Sequence, residues 1–288
     1  MNVLDIDTLL SNYAEDIIFV KKFITYNYCV PNPDALQFRE VDGEVVVDYD
    51  GYLKCKNLNI ESLTNGKFRF GNVSSFDCSG CKNLTLLKGA PIKCNKFYCS
   101  ECDRLVSLEG APRDCNVFNC FRCIGLKSLN GAPNTKERFN CEFCYELTSL
   151  EGAPQKCDKF SCEYCQSLTV LKGAPQECEM FICSYCSRLS DLTYAPQKCD
   201  KFSCRHCYGL TSLKGAPQKC DEFNCSFCHK LCDLEGAPRN CKVFKCIYCE
   251  NLTSLEGAPQ RCDMFNCESC KHLTIAEDAL KYYNDFIC

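Results

Sequence analysis

The 288-residue chain has no Trp, three Met and three His. His206, His229 and His272 stand in unlike surroundings, and no Ser/His/Asp or Cys/His pairing stands out around them. Each therefore reads as a surface residue, and no enzymatic activity is expected. No run of 18 apolar residues exists, so no segment is long and apolar enough for a membrane-spanning helix. The first residues, Met-Asn-Val-Leu-Asp-Ile-Asp, lack the basic and apolar regions of a Sec signal, so a cytoplasmic location is expected. A basic block is missing too. Residues 1–75 hold 7 basic and 11 acidic side chains, and residues 76–288 hold 26 of each. Nucleic-acid binders show a Lys/Arg face; neither nucleic acid nor membrane is expected as a partner.

What the chain has in excess is cysteine, 32 residues of it. Small secreted disulfide scaffolds reach that fraction, but they are much shorter. The cysteines follow a repeat. Phe recurs at 76, 97, 118, 139, 160, 181, 202, 223, 244 and 265, a period of 21 with no slip. Two residues after each Phe comes a Cys, from Cys78 to Cys267, and three later another, from Cys81 to Cys270. Nine units carry Ala-Pro, and eight carry a third Cys, from Cys94 to Cys262, with Lys136 in its place in one unit. Cys29, Cys55, Cys232 and Cys288 stand outside this scheme.

One unit runs Cys157-x-x-Phe160-x-Cys162-x-x-Cys165-x-x-Leu168-x-x-Leu171-x-Gly173-Ala174-Pro175. Against the leucine-rich-repeat pattern L-x-x-L-x-L-x-x-N/C-x-L, Cys157, Phe160 and Cys162 take the Leu places and Cys165 the N/C place, while Leu168 comes one residue late. Phe160 and Cys162, two apart on a short strand, point to one side, the interior. Gly-Ala-Pro is expected to form a tight, extended return arm that needs no helix.

The phrase Leu-Thr-Ser-Leu-Glu-Gly-Ala-Pro, at Leu147–Pro154 and Leu252–Pro259, resembles the short leucine-rich repeats of phage and large-DNA-virus proteins. It is more distantly similar to the repeats of bacterial effectors. The lead-in Asp42–Asp50 and Lys67–Val73 is similar to the viral set as well, and the resemblance covers roughly residues 40–275. The viral repeats usually carry Asn where this chain has its second Cys, so a ladder of thiols replaces a ladder of Asn. The resemblance implies a solenoid that binds or packs against something, located in host cytoplasm or virion; it implies no chemistry.

The expected fold is a repeat solenoid, mainly β, with short parallel strands, leucine-rich-repeat-like, right-handed and slightly curved. The expected divisions are an N-terminal helical cap over 1–43, with a helix at 5–28 that Asp7 caps; a strand and degenerate first repeat over 44–75; about ten repeats over 76–275; and a C-terminal helical cap over 276–288, with Leu280, Tyr283 and Phe286 inward. Such caps cover the core and strand edge that a terminal repeat exposes.

Three readings of the thiols stay open. They can be buried small hydrophobes, which their inward positions favour. They can be disulfides, although rungs about 4.8 Å apart exceed the Cβ spacing of about 3.8 Å that a bridge prefers. Or Cys162-x-x-Cys165 and Cys183-x-x-Cys186 can supply a four-thiolate zinc site, a spacing that any such period produces automatically. No cofactor and no metal ligand is assigned on this basis.

The residue before the second Cys of each unit is the candidate contact position, where the strand leaves the concave face. Its six consecutive ring-bearing members are Phe143, Tyr164, Tyr185, His206, Phe227 and Tyr248. At about 4.8 Å per rung they would make a stacked ribbon roughly 25 Å long. Such a strip serves either a protein partner or only the stability of the ladder. An acidic run, Glu137, Asp158, Glu179, Asp200 and Asp221, broken by Lys242, lies further back in the unit. The expected function is a non-enzymatic protein-interaction or structural solenoid, whose protein partner offers a basic, apolar segment. The alternatives are a disulfide- or zinc-stabilised component of a virus particle, and a thiol redox protein.

Overall fold

A computed structural model of the chain describes residues 6–274 and 283–288, with side chains from residue 15. The chain is a mainly β solenoid with a repeat of 21 residues. Helix α1 (Ile6–Asn27) leads into β1 (Tyr28–Cys29). Then come β2 (Gln37–Val41), β3 (Glu44–Cys55) and β4 (Phe68–Asp77). Short strands follow once per repeat, from β5 (Lys93–Tyr98) to β13 (Arg261–Asn266), and β14 (Tyr283–Ile287) ends the sheet. All belong to one sheet in chain order, parallel from β3 onward, with β1 and β2 both antiparallel to β3. The β2–β3 hairpin is absent from the sequence expectation. Its Asp42-Gly43 turn, with both residues at positive φ, is the local signal for it.

Register repeats rung on rung. Phe160 faces Phe139 and Phe181, and Phe202 faces Phe223. The ten Phe side chains are buried and form one column, with successive ring centroids 5.2–5.6 Å apart and planes within 18°. A single apolar residue repeated on adjacent parallel strands can make only this arrangement, because in-register partners lie one strand spacing apart.

After each strand the backbone turns twice. Leu168 N–H bonds Cys165 O at 3.0 Å, and Ala174 N–H bonds Leu171 O at 2.9 Å. The second bond closes a four-residue turn with Gly173 at φ +91° in its third position. Gly173 thus lies within a tight turn over Leu171–Ala174 and Pro175 follows it, with no helix in this stretch, where a tight, extended arm without a helix was expected. Glycine is favoured here: a Cβ on Gly173 would meet Leu150 O of the previous turn at 2.5 Å. Tyr194 alone takes that place with a side chain, at φ +71°; nothing in the structure explains it.

Two further expectations are corrected. Thr135, not Lys136, fills the third-Cys column, opposite Cys115, through a register shift after that pair. Thr135 is 2% exposed and its hydroxyl donates to Pro133 O, whereas Lys136 is exposed; a buried ammonium without a partner would be far costlier than one irregular rung. At the C-terminus, Tyr283–Ile287 is a strand in register with β13, not the end of a helix. Phe286 stacks on Phe265 at 5.6 Å, extending the Phe column by one turn. A strand satisfies the open edge of β13, which a helix could cover but not pair. Leu280 and the rest of 275–282 lie outside the described residues.

At the N-terminus Asp7 lies inside the described helix rather than at its cap. Val20 and Ile24 are fully buried, and Phe23 packs edge-on against Phe68 at 5.7 Å. Tyr28 lies over Phe70 and Phe76, and its hydroxyl donates to Leu63 O at 2.7 Å. Leu9, Leu10 and Tyr13, which recur with Val20 and Ile24 at roughly helical spacing, have side chains outside the described residues.

Candidate functional site: an aromatic ribbon and a thiol-floored groove

The Cys-x-x-Cys segment is the other turn of the unit. Its third residue takes a left-handed backbone in every repeat: Gly80 at φ +77°, then Glu101, Arg122, Phe143, Tyr164, Tyr185, His206, Phe227, Tyr248 and Ser269 between +55° and +63°. The candidate residues therefore sit in turns, just past the strand. Left-handed backbone costs a non-glycine residue on the order of 1–3 kcal/mol. The position nevertheless has room: a Cβ on Gly80 would meet only Leu58 side-chain atoms, at 3.7 Å or beyond. The two turns of the unit thus differ. One holds glycine in every repeat but that of Tyr194, and the other holds large side chains.

All six candidate rings lie in one stack. Phe143–Tyr164, Tyr164–Tyr185, Tyr185–His206 and His206–Phe227 have centroids 4.2–4.4 Å apart and planes within 12°; Phe227–Tyr248 follows at 5.1 Å. Stacking of this kind contributes about 0.5–1.5 kcal/mol per pair, which offsets much of the backbone strain. Ring faces are therefore turned to one another, and ring edges are turned outward. The first five rings are half-buried and Tyr248 is exposed. Burial in the stack and a hydrogen bond with Tyr185 push the Tyr164 phenol above its ordinary pKa. Burial, then Arg205 and His229, holds His206 below the usual imidazole value. Flanking rings were missed: Phe121 and Tyr145 meet Phe143 edge-on, and Tyr208 meets His206 edge-on with its hydroxyl 3.1 Å from Nδ1. Phe121 stands one residue before its ribbon position, and Tyr145 and Tyr208 two residues after theirs; that nearness in the chain was the available signal.

The second-Cys column explains how the buried turns are satisfied. Cys165 Sγ–H donates to Cys141 O one turn back at 3.2 Å, and the same bond recurs from Cys102 to Cys270. The thiol is a weak donor, but the carbonyl it meets has no water to turn to. The first-Cys column, fully buried from Cys78 to Cys267, fills the core, and six of its thiols donate to a carbonyl of the next turn at 3.3–3.6 Å, as Cys141 does to Ser161 O. Cys55 and Cys288 extend it by one rung at each end, since Lys54 pairs Asp77 and Ile287 pairs Asn266.

The third column differs. Cys157, Cys178, Cys199 and Cys220 form the floor of an open groove of about 590 Å³. Burial pushes the Cys157 and Cys220 thiols up to about 12. Asp158, Glu179, Asp200 and Asp221 of the acidic run line this groove, where the N–H groups of Glu179 and Met180 both bond Asp158 O. Lys242 pairs with Asp221 at 2.8 Å, and Lys156 and Lys198 both pair with Glu177. Among the described residues Asp158, Glu179 and Asp200 form no ion pair. All 32 thiols are free, and no group of three or more His, Cys, Asp or Glu among the described residues is placed to hold a metal ion. No described helix is long and apolar enough to cross a membrane.

No family model matches the chain, and no curated protein is similar to it. A leucine-rich repeat protein from Bacteroides ovatus resembles it over 88% of this chain and 89% of its own, at 14% identity and a TM-score of 0.38. That likeness is too loose to bear on function.

Proposed function

We propose that the protein is a non-enzymatic interaction solenoid whose contact surface is the ribbon Phe143, Tyr164, Tyr185, His206, Phe227 and Tyr248. The carrying observation is the left-handed turn: six consecutive repeats place a ring where Gly80 or Ser269 serves elsewhere in the array. Edges of those rings form an apolar strip along one flank of the strands, and the unpaired carboxylates of Asp158, Glu179 and Asp200 line the other. A basic, apolar protein segment suits both, and a phosphate backbone suits neither. The resemblance of Leu147–Pro154 to phage and large-DNA-virus repeats supports a viral protein of host cytoplasm or virion.

The close stacking favours a second reading, in which the rings only stiffen a structural component. Substituting Tyr164, Tyr185 and Tyr248 together by Ser separates the two. Selection from a peptide library on the wild-type chain should enrich segments mixing Lys/Arg with aliphatic residues, and the triple variant should keep its melting temperature within a few degrees and lose those segments. A variant that melts early and still retains them makes the ribbon a stabilising ladder and moves the contact surface elsewhere.

A further inference from the structure

The third thiol column is the one that reaches a surface. From Cys78 to Cys267 the first column is sealed in the core, and the second opens only at its last member, Cys270, whereas Cys178 and Cys241 keep 9% and 8% of their surface and Cys199 and Cys262 keep 4% and 5%. Two neighbouring pairs in this column meet sulfur to sulfur: Cys178–Cys199 and Cys241–Cys262, each 3.7 Å apart on in-register strands. A disulfide needs about 2.05 Å and a Cβ spacing that adjacent rungs do not offer. A linear sulfur–metal–sulfur unit with bonds of roughly 2.3 Å needs about 4.6 Å. Small outward rotations of the two side chains supply the difference. No third donor converges on either pair, so tetrahedral zinc has no site there, and two-coordinate binding is what the pairs offer. Thiolate ligands select soft ions, Cu(I) first among the common ones.

We propose that Cys178–Cys199 and Cys241–Cys262 are two-coordinate sites for a soft monovalent metal ion of the Cu(I) class. On binding, each thiol loses its proton and forms one sulfur–metal bond. Two protons leave per ion, and no electron is transferred. The thiol bonds from Cys199 to Lys201 O at 3.0 Å and from Cys262 to Met264 O at 2.8 Å are given up. For the Cys178–Cys199 pair, the groove is the way in.

The test uses the reduced full-length chain, loaded without oxygen from tetrakis(acetonitrile)copper(I) and challenged with a bathocuproine chelator. Native mass spectrometry should find two copper ions retained. Cys199→Ser and Cys262→Ser should each retain one, and the double variant none. Serine at the exposed Cys29, Cys232 and Cys288 should leave the count at two. X-ray absorption on the loaded wild type, which needs no variant to fold, should show two sulfurs per copper. No copper retained by the wild type, a double variant that still holds two, or three or more sulfurs per copper overturns the proposal.

Discussion

At the residue scale, cysteine does three jobs that the sequence pattern alone leaves merged. The column from Cys78 to Cys267 fills space and donates weakly to carbonyls of the next turn, the column from Cys102 to Cys270 caps carbonyls of the turn before, and the third column floors a groove from Cys157 to Cys220. Their inward direction was legible from spacing, because period 2 on a strand and a fixed turn decide it. The carbonyl-capping role was legible only through the Asn that this thiol replaces. Cys165→Ala strands the Cys141 carbonyl without a donor and should cost about 1–3 kcal/mol, measured by chemical denaturation against wild type. The thiols also make stability fall with pH. Cys94, Cys115, Cys157 and Cys220 titrate near 12 in the fold because burial disfavours the thiolate, against an ordinary value near 9. The folded state then holds protons that the unfolded chain releases, so their contribution is whole below about pH 9 and drains away between 9 and 12. Melting temperatures should be level from pH 7 to 8.5 and fall steadily above 9.5.

At the element scale, each rung is stable only through its neighbours. Phe160→Ala empties a place in a column that stacks on Phe139 and Phe181 at 5.2 and 5.4 Å. A loss of about 3–5 kcal/mol is expected, with amide exchange rising in β8 (Lys159–Ser161) and in the strands either side. Exchange unchanged in those three strands would mean that the Phe column does not hold them. The array was read correctly from its period, since an unbroken 21-residue recurrence leaves one register. The last turn was misread because Tyr283 and Phe286, three apart, fit a helical face as well as a strand. The repeat's own spacing resolves the ambiguity: Tyr283-x-x-Phe286-x-Cys288 stands 21 residues after Cys262-x-x-Phe265-x-Cys267. The Thr135 slip was illegible for a different reason. Sequence alignment by period pointed to Lys136, and only the cost of burying an ammonium moves the rung.

At the scale of the whole molecule, the fold is a one-dimensional stack held by columns of like residues, with α1 over one end and β14 pairing the other. The six ribbon residues were legible as a column. Their stacking distance and the left-handed turn beneath them were not, because a ring one residue before a Cys carries no mark of φ. The central claim is that the stack runs on reduced, buried thiols, and a native thiol count tests it most directly. Of the 32 cysteines, Cys29, Cys232 and Cys288 are exposed. Ellman's reagent at neutral pH, with no reductant present, should label three thiols in a fast phase, and all 32 after denaturation. A fast native count well above three, or a denatured total below 32, would contradict the account.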